Sequence, residues 1–457
     1  MTTTDPSSPS SSSSPSDPPI TGARTAEFVS SGVPGHERPV PPVNSGFEIP
    51  PPSKPVGGKF AFFFALAQLG LFIALLGPVT ISMAIKVISV VGPENATTAQ
   101  GLVLGLGAFA ALIANPVFGR LSDRTTSRFG RRRPWMVGGS IVLAIFLLVI
   151  AVANSVPMLI IGWFGAQLAA NAAFAAYLAT IADQVPPSQT AKISALGGVM
   201  QNVGILVATF VAGLFTEQMI PLFMVPALCG VVGMVAYALV LKDPQLHHKP
   251  AAEGWKAWIH TFWVSPRQHP DFGWAWISRF LLVLGSFMFT TFRLNWMIDH
   301  LGLTSAEAAQ VVFVGVLIYT VVLVVVGQAT GFVSDKIGRR KVFVFGSTAL
   351  FAIGLLGLTQ VNTVGHFYVI EAILGAAFGI YMGVDLALVI GVLPDPENSA
   401  KDLGVFNIAN AAPQSLAPFL GAALIAGAAK NYSLLYVVAA ALTFLGALAI
   451  IPVKKVK

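Results

Sequence analysis

The chain has 457 residues, of which 55% are hydrophobic and 10% are charged, and its mean hydropathy is +0.75. Soluble domains contain about a quarter charged residues, so this composition excludes an ordinary soluble protein and indicates an integral membrane protein. The net charge of +7 does not indicate nucleic-acid binding, because the basic residues lie at the ends of apolar segments rather than on one polar face.

Cysteine and histidine usage argues against a metal or cofactor site. The single cysteine, Cys229, lies in an apolar segment and is interpreted as a packing residue, so no disulfide framework is possible within the chain. The seven histidines lie mainly in loops and the tail, with no two at ligand spacing inside a helix. We therefore expect neither a metal nor a cofactor.

The first segment of the chain, residues 1–56, is rich in serine and proline. It has too few apolar residues to offset the entropy of ordering, which predicts a disordered cytoplasmic tail. The tail lacks a basic start followed by an apolar core, so we expect no secretory signal, and the first membrane helix directs insertion. The tail is either inert or a site of phosphorylation or partner binding.

About twelve apolar runs follow from Phe60 onward, each near the ~20 residues needed to cross the hydrocarbon core. Open sheet edges cannot face lipid, so every run is predicted to be a helix and the fold to be an all-α integral membrane protein. The approximate spans are 60–85, 98–118, 136–154, 157–181, 194–216, 221–241, 273–297, 309–330, 342–359, 365–391, 404–428 and 432–452.

These spans divide into two pseudo-symmetric six-helix halves, residues 57–241 and 273–457, joined by a linker at 242–272. The halves repeat in detail. The fifth and eleventh spans each follow a proline-containing turn with a lysine, and nine residues after that lysine comes an amide, Gln201 in one half and Asn410 in the other. Internal duplication of this kind is typical of transporters.

The linker contains a short amphipathic pattern. Trp255, Trp258, Ile259, Phe262 and Trp263 recur at helical spacing on one face, which predicts a helix in the inner headgroup layer. This helix is either a lateral strut between the halves or an anchor formed by a belt of tryptophans.

The positions of lysine and arginine predict the orientation. With the tail inside, all but three of the 27 Lys and Arg residues fall on the inner side, the exceptions being Lys86, Arg293 and Lys430. Short loops rich in these residues stay in the cytoplasm. We therefore expect a multi-pass protein of the cell membrane with both termini cytoplasmic.

Two basic, turn-rich loops occupy equivalent places after the second and eighth spans. They read GRLSDRTTSRFGRRRPW at residues 119–135 and GFVSDKIGRRK at residues 331–341. This pair of loops resembles the major facilitator superfamily, and the resemblance extends from about Phe60 to the end of the chain. The first loop has four more residues between its Asp and Gly than the second. It resembles plant sucrose transporters and, more loosely, the glycoside-pentoside-hexuronide:cation symporters.

The resemblance implies a monomer that works by alternating access, with helices 1, 4, 7 and 10 lining a central cavity between two rocking halves. We expect the loop aspartates to accept hydrogen bonds at helix N-termini and the arginines to tie the inner ends together. The alternative is that the arginines only fix topology. The candidate gating residues are Asp123, Arg124, Gly130, Arg131, Arg132, Asp335, Gly338, Arg339 and Arg340.

Ionisable residues inside the spans concentrate in the seventh and tenth. Arg279 and Arg293 in one span, and Glu371 and Asp385 in the other, are each separated by fourteen residues, which returns to within about 40° of the same helix face. Because the two spans run in opposite directions, we predict the ion pairs Arg279 with Asp385 and Arg293 with Glu371. One acidic member, Asp385 rather than Glu371, is expected to exchange its arginine for a proton or another cation; the alternative is two fixed structural pairs.

Neutral polar residues supply the candidate substrate-binding groups. Amides and aromatic rings suit hydroxyl-rich solutes, although hydrogen bonding between helices explains each residue taken alone. The candidates are Gln68, Asn171, Tyr177, Gln201, Asn202, Asn407, Asn410 and Gln414.

Together these features predict a secondary active transporter, proton-coupled, that takes up a sugar or a similar small polar solute. Its expected partners are that solute, a proton or another cation, and the lipid bilayer, with no nucleic acid. The alternative within carriers is an exporter of drugs or metabolites. A membrane enzyme would need convergent His, Asp or Ser groups, and a non-transporting sensor would need a soluble output domain.

Overall fold

The structure is a computed structural model, and it describes residues 54–246, 264–394, 399–427 and 430–456. All but the last three residues of the predicted tail, and the predicted tryptophan-rich linker helix, lie outside the described residues.

The described residues form α-helices joined by short connections, with no β-strand among them. This agrees with the all-α membrane fold predicted from the apolar runs. The helices are α1 (Gly58–Gly77), α2 (Met83–Asp123), α3 (Arg133–Val152), α4 (Val156–Gln184), α5 (Pro187–Leu214), α6 (Met219–Val240), α7 (Pro270–Leu301), α8 (Ser305–Ile337), α9 (Arg340–Gly357), α10 (Val364–Val392), α11 (Ser399–Gly427) and α12 (Tyr432–Ala449).

The first helical segment contains two membrane crossings. It runs for 66 residues from Gly58 to Asp123, about 100 Å at the rise of an α-helix and some three times the thickness of the hydrocarbon core. The chain turns at Gly92, whose φ of 74° and ψ of 167° are not helical, and Pro93 follows. Eleven segments of the described chain are long and apolar enough to span a membrane, and this break raises the number of crossings to twelve.

A π-helical turn, Pro78–Ser82, interrupts the first crossing. Proline lacks an N–H and cannot continue the α-helical hydrogen-bond pattern, and the wider turn accommodates it. The hydroxyl of Thr80 donates to the carbonyl oxygen of Leu76 at 2.8 Å, which gives that acceptor a hydrogen bond beside the irregular turn. The first crossing therefore departs from a regular α-helix near its centre while this carbonyl keeps a partner.

Helix packing repeats between the first six helices and the last six. Helix α1 packs on α5 and α6, α2 on α4, and α3 on α4 and α6. The same contacts recur six helices later, with α7 on α11 and α12, α8 on α10, and α9 on α10 and α12. The two halves are therefore built on one packing plan.

The two halves meet through α2 with α11 and through α5 with α8, which are equivalent pairs under this repeat. On α2, Gly101 faces Pro418 and Ala422 of α11, and Gly105 lies against the Phe419 ring. Small residues of this kind allow close helix approach. These contacts lie in the part of α2 near Gly92, away from the 119–135 loop.

Further contacts between the halves lie at the same end of the molecule. The side-chain amide of Gln100 donates to the carbonyl oxygen of Thr291 at 2.7 Å, and the ring centroids of Phe210 and Phe313 are 5.3 Å apart. Lys430 also donates to the Pro93 carbonyl oxygen at 2.9 Å. We call this end the far side and the end with the 119–135 and 331–341 loops the loop side. These contacts close the molecule on the far side.

Lys86 is buried near the far side, where its side chain caps the C-terminus of α3. Its ammonium group donates to the carbonyl oxygen of Ala151 at 2.8 Å, in the last turn of α3. The last carbonyls of a helix have no partner within it and carry partial negative charge, so a cation there is favourable. From the sequence, Lys86 served only as a marker of orientation.

Candidate functional site

A polar cluster in the second half joins α7, α10 and α11. The guanidinium of Arg279 donates through Nη1 to the Asp385 carboxylate at 2.7 Å and through Nε to Oδ1 of Asn410 at 2.8 Å. The side chains of Arg279 and Asp385 retain 17% and 9% of their exposure. The predicted ion pair is present, and an amide on a third helix holds the arginine as well.

Neighbouring groups extend this cluster in both directions. The side-chain amide of Asn410 donates to Oδ1 of Asn407 at 3.2 Å, and Asn407 is exposed in the loop-side half of α11. Tyr381 lies beside Asp385 one helical turn earlier on α10, and the Phe406 ring lies 5.2 Å from the guanidinium carbon of Arg279. The result is a continuous polar chain that begins at an exposed amide and ends at a buried carboxylate.

The second predicted ion pair is also present, but its surroundings are dry. Nη1 of Arg293 lies 2.7 Å from Oε1 of Glu371, whose side chain is 0% exposed. Oε2 of Glu371 and Nε of Arg293 have no hydrogen-bond partner among the described residues. The Phe289 ring lies 5.4 Å from the Arg293 guanidinium, and Gly315 packs beside the Glu371 side chain. This pair lies toward the far side, enclosed by protein.

In the first half, the amide candidates Gln68 and Asn171 are held inside the helix bundle. Gln68 is buried, and its Oε1 has no hydrogen-bond partner within the part of the chain that the structure describes. Asn171 donates to the Gln167 carbonyl oxygen at 2.9 Å and accepts from the Asn115 amide at 3.5 Å. Asn115 was not among the candidates, since its place next to a proline within α2 gave it no distinguishing pattern.

Tyr177 belongs to the packed core and not to an open polar surface, which corrects its assignment as a substrate-binding residue. It is 0% exposed, and its hydroxyl donates to the carbonyl oxygen of Phe64 at 2.9 Å. Its ring stacks on that of Phe64 with centroids 4.5 Å apart and meets Tyr237 edge-on. The tyrosine therefore joins α1, α4 and α6.

The remaining amide candidates have different surroundings. Gln201 is exposed on α5, and the Asn202 amide donates to the Gly198 carbonyl oxygen of its own helix at 3.0 Å. Gln414 on α11 is partly buried. The structure therefore joins Asn407 and Asn410 to the charged cluster and leaves Gln201 and Asn202 on α5 of the other half.

The 119–135 loop is organised around Arg132. Its guanidinium contacts Asp123 at 2.6 Å, Asp183 at 2.8 Å and the Ser122 hydroxyl at 2.6 Å, while Arg131 lies 2.5 Å from Asp183. Burial alone would lower the pKa of Arg132, but the hydrogen bonds and charges of Asp183 and Asp123 raise this pKa above its usual value. The arginine stays charged and ties the ends of α2 and α4 to the start of α3.

The N-terminus of α3 is capped by a residue that sequence reasoning missed. Oδ2 of Asp243 accepts from the backbone N–H of Arg132 at 2.7 Å and of Arg133 at 2.9 Å. The expectation that Asp123 binds a helix N-terminus is therefore wrong, because Asp123 pairs with the Arg132 side chain and is 54% exposed. The side chain of the equivalent Asp335 lies outside the described residues.

The two loop glycines are required by backbone geometry. Gly130 has a φ of 98°, and a side chain there would also collide with Asp243. Gly338 has a φ of 68°, and its N–H donates to the Ser334 carbonyl oxygen at 2.8 Å to end α8. Left-handed φ values favour glycine, so both positions have a structural reason independent of charge.

The other candidate gating residues lie beside these turns. Arg124 follows the last residue of α2, Arg339 occupies the position before α9, and Arg340 is the first residue of α9. The partners given above for the 119–135 loop all lie in the first six helices or, for Asp243, three residues after the end of α6. The loop network therefore holds one half together at the loop side.

The charge balance of the loop could have identified Asp183 and Asp243, the acidic residues that sequence reasoning missed. Residues 54–246 contain five acidic residues, of which Asp123, Asp183 and Asp243 fall on the loop side. Six arginines in one short loop require counter-charges, and these three are the available ones. By contrast, nothing in the sequence pattern singles out Tyr381 or Asn115.

No group of three or more His, Cys, Asp or Glu side chains that could hold a metal ion occurs in the part of the chain that the structure describes. The charged clusters pair acids with arginines, and guanidinium groups are not metal ligands. The arrangement suits ion pairing, proton exchange and hydrogen bonding to a polar solute.

Comparison with known proteins identifies one family and two relatives, each of which matches this chain over a short segment. The model of the Major Facilitator Superfamily matches residues 60–330 and 316–457. An uncharacterized symporter of Synechocystis sp. is 54% identical over 46 residues, which are 10% of this chain and 8% of that protein. A sucrose transport protein of Arabidopsis thaliana is 40% identical over 57 residues, 12% of this chain and 10% of that protein. The matched segments span a tenth or less of these relatives.

Solved structures with the same fold are also transporters. The nucleoside transporter NupG superposes with a TM-score of 0.69 and 13% identity, over 86% of this chain and 99% of that chain. A bacterial homolog of the human lysosomal transporter Spinster, in an inward-facing and occupied conformation, superposes with a TM-score of 0.62 and 14% identity. The match covers 87% of this chain and 97% of that chain. A POT family transporter in complex with 5-aminolevulinic acid superposes with a TM-score of 0.66 and 12% identity, over 85% of this chain and 94% of that chain. At these identities the likeness concerns the fold.

Proposed function

The chain belongs to the Major Facilitator Superfamily, and we propose that it takes up a sugar or a similar small polar solute together with a proton. It is a multi-pass membrane protein and a transporter of the secondary kind. The observation that carries the proposal is the bridge formed by Arg279, which binds Asp385 on one side and Asn410 on the other.

This bridge combines the two properties that a coupled carrier needs in one place. A carboxylate inside a membrane span is costly unless it is paired, so Asp385 holds either its arginine or a proton. A solute hydroxyl that hydrogen-bonds to Asn410 or Arg279 competes for the same guanidinium donors. Binding of solute would then release Asp385 to take up a proton, and loss of either ligand would restore the ion pair.

The exposed end of the cluster supports a polar, hydroxyl-rich substrate. Asn407 and Asn410 offer paired donors and acceptors, and the Phe406 ring lies next to Arg279. Amides beside an aromatic surface match the alternating polar edges and apolar faces of a sugar. The name of the Arabidopsis relative, a sucrose transport protein, points to the same solute class.

Alternating access is supported by the uneven distribution of contacts between the halves. Contacts between α2 and α11 and between Phe210 and Phe313 close the far side, whereas Asn407 is exposed toward the loop side. We assign this arrangement to a state open toward the loop side. The lysines and arginines of the loops support our assignment of that side to the cytoplasm, in a cell-membrane protein with both termini inside.

Uptake into proteoliposomes tests the proposal. We expect purified protein to accumulate radiolabelled sucrose or maltose only when the external solution is more acidic than the lumen. In Asp385→Asn, accumulation is expected to fall at least about tenfold, because the variant cannot exchange the proton. Sugar exchange without a gradient is expected to persist, since it needs no net proton movement.

A matched control separates this effect from loss of charge in general. Glu307 is exposed in the capping box that begins α8, and Gln is equally suited to that position. The variant Glu307→Gln is expected to accumulate sugar like the original protein. Absence of uptake under every gradient would refute the sugar proposal and favour an exported substrate, while acid-independent accumulation would refute proton coupling.

A further inference from the structure

The 119–135 loop stands above a groove on the membrane-facing surface of the first half. The groove has a volume of about 490 Å³ and lies among the helices α2, α3 and α4. Its walls include Phe118, Trp135 and Phe146, and small residues such as Gly138 and Ala169 form its floor. The volume falls within the range of about 300–1,000 Å³ found for small-molecule sites.

The groove is lined almost entirely by apolar surface, and it extends over one leaflet of a bilayer. Trp135 lies in the first turn of α3 at the loop side, and Phe146 lies eleven residues further along the same helix. Eleven residues of α-helix rise about 16 Å, which is about half of the ~30 Å hydrocarbon core. A groove of this length and position suits one acyl chain.

Small residues have two different roles around the groove. A Cβ at Gly139 would lie 2.8 Å from the Ala169 carbonyl oxygen, and one at Gly165 would collide with the Phe146 ring. Gly138, by contrast, is exposed, and a Cβ there would meet no atom within 4 Å. Helix contact therefore explains Gly139 and Gly165, whereas Gly138 leaves open space.

The mouth of the groove is positively charged. Trp135 donates through its indole nitrogen to the Thr125 hydroxyl at 2.7 Å, so the loop lies directly over the mouth. Residues 120–133 contain six arginines and one acidic residue, Asp123. Arg128 is exposed, with its guanidinium 4.8 Å from the ring of the exposed Phe129.

From these observations we infer that the groove binds one membrane phospholipid with an anionic headgroup. The acyl chain lies on the surface formed by Gly138, Ala169 and Phe146, and the phosphate lies beside the loop arginines. Basic residues next to an apolar membrane surface attract anionic lipids. Tryptophan is common at the level of the lipid headgroups, where Trp135 would lie between the arginines and the apolar groove. The lipid would pack against the helix whose first turn is held by Arg132 and Asp243.

Native mass spectrometry of the full-length protein tests this inference. The protein is titrated with phosphatidylglycerol or phosphatidylcholine of identical acyl chains. We expect one phosphatidylglycerol to be retained with about tenfold higher affinity than phosphatidylcholine. Arg128→Gln is expected to reduce this preference and leave phosphatidylcholine binding unchanged.

Filling the groove gives the sharper comparison. Gly138→Leu is expected to abolish the retained lipid, because the new side chain occupies the groove while leucine favours the helix. Gly346→Leu is the matched control, since Gly346 is likewise exposed with open space near the start of α9, away from the groove. It is expected to bind phosphatidylglycerol like the original protein.

Three results would overturn the inference. They are equal retention of the two lipids by the original protein, unchanged phosphatidylglycerol binding by Gly138→Leu, and a dimer lost in Gly138→Leu, which would identify a second copy of the chain as the occupant. Thermal unfolding of both leucine variants checks that they are folded. None of these results depends on sugar transport, so the inference and the proposed function stand or fall separately.

Discussion

The two arginine-carboxylate pairs of the second half have the same chemistry and different surroundings. Arg279 and Asp385 keep some exposure, and Asn410 offers the arginine a second partner. Glu371 has no exposure, and its second carboxylate oxygen has no partner. A pair that water or solute reaches can exchange partners, whereas a dry pair is held because separating it leaves an uncompensated charge.

The contrast predicts losses of stability of different size. Glu371→Gln leaves Arg293 buried without its counter-charge, and we expect a loss of about 3–5 kcal/mol in the free energy of unfolding. Asp385→Asn is expected to cost less, because Arg279 keeps its bond to Asn410 and some contact with solvent. Thermal unfolding of the purified variants measures the difference.

Glu307→Gln serves again as the control, with an unfolding temperature expected to match that of the original protein. Equal stability of Glu371→Gln and the original protein would mean that the buried pair contributes nothing to folding. In that case Glu371 would return as a candidate coupling group alongside Asp385.

At the scale of helices, the contact between α2 and α11 carries the closure of the far side. Gly101 and Gly105 bring α2 against Pro418 and Phe419 without side chains of their own. Gln100 adds a hydrogen bond to the Thr291 backbone of α7. Glycines at this four-residue spacing allow close helix approach, and the structure identifies the partner of α2 as a helix of the other half.

A larger residue at Gly101 is expected to hold the far side open. A Cβ there would lie 2.6 Å from the Pro418 carbonyl oxygen, and overpacking of this kind costs about 1–3 kcal/mol. With Cys229→Ser as the background, Thr291→Cys reports the opening, because its side chain is buried in the closed state. We expect Gly101→Leu to increase labelling of this cysteine by an impermeant maleimide about tenfold.

Gly213→Leu is the matched control for this experiment. Gly213 lies near the end of α5, and a Cβ there would meet no atom within 4 Å. Its labelling is expected to equal that of the background protein. Unchanged labelling in Gly101→Leu would mean that the α2 and α11 contact does not hold the far side closed.

For the whole molecule, the repeat of helix contacts implies two conformations. In the second conformation, each half would take the role that the other half has in the first. The pairs α2 with α11 and α5 with α8 are equivalent under the repeat, so the halves can rock without repacking inside either half. The contacts of Arg132 and Asp243 hold the first half together at the loop side, as the proposed rocking motion requires.

Locking the far side is therefore expected to stop transport. A cleavable thiol cross-linker between Phe210→Cys and Phe313→Cys, in the Cys229→Ser background, joins α5 to α8 where their rings lie 5.3 Å apart. We expect uptake to fall at least about tenfold on cross-linking and to return when the linker is cleaved. Either cysteine alone is the control, and full uptake by the cross-linked protein would contradict alternating access.

The sequence by itself determined the class of fold, the twelve crossings and the two ion pairs. These follow from local rules, because the length of an apolar run and the helical period decide which segments span and which residues share a face. The partners of charged residues followed where two helices cross the membrane at matching depths, as for Arg279 with Asp385 and Arg293 with Glu371.

Only the tertiary structure decided which polar residues meet beyond these two pairs. It placed Tyr177 in the aromatic core, assigned the cap of α3 to Asp243 instead of Asp123, and brought Asn410 to Arg279. It also decided which side is closed. These outcomes depend on how helices distant in sequence rotate and pack against each other, and hydrophobic patterns within single helices do not determine that rotation when every helix is apolar on most of its surface.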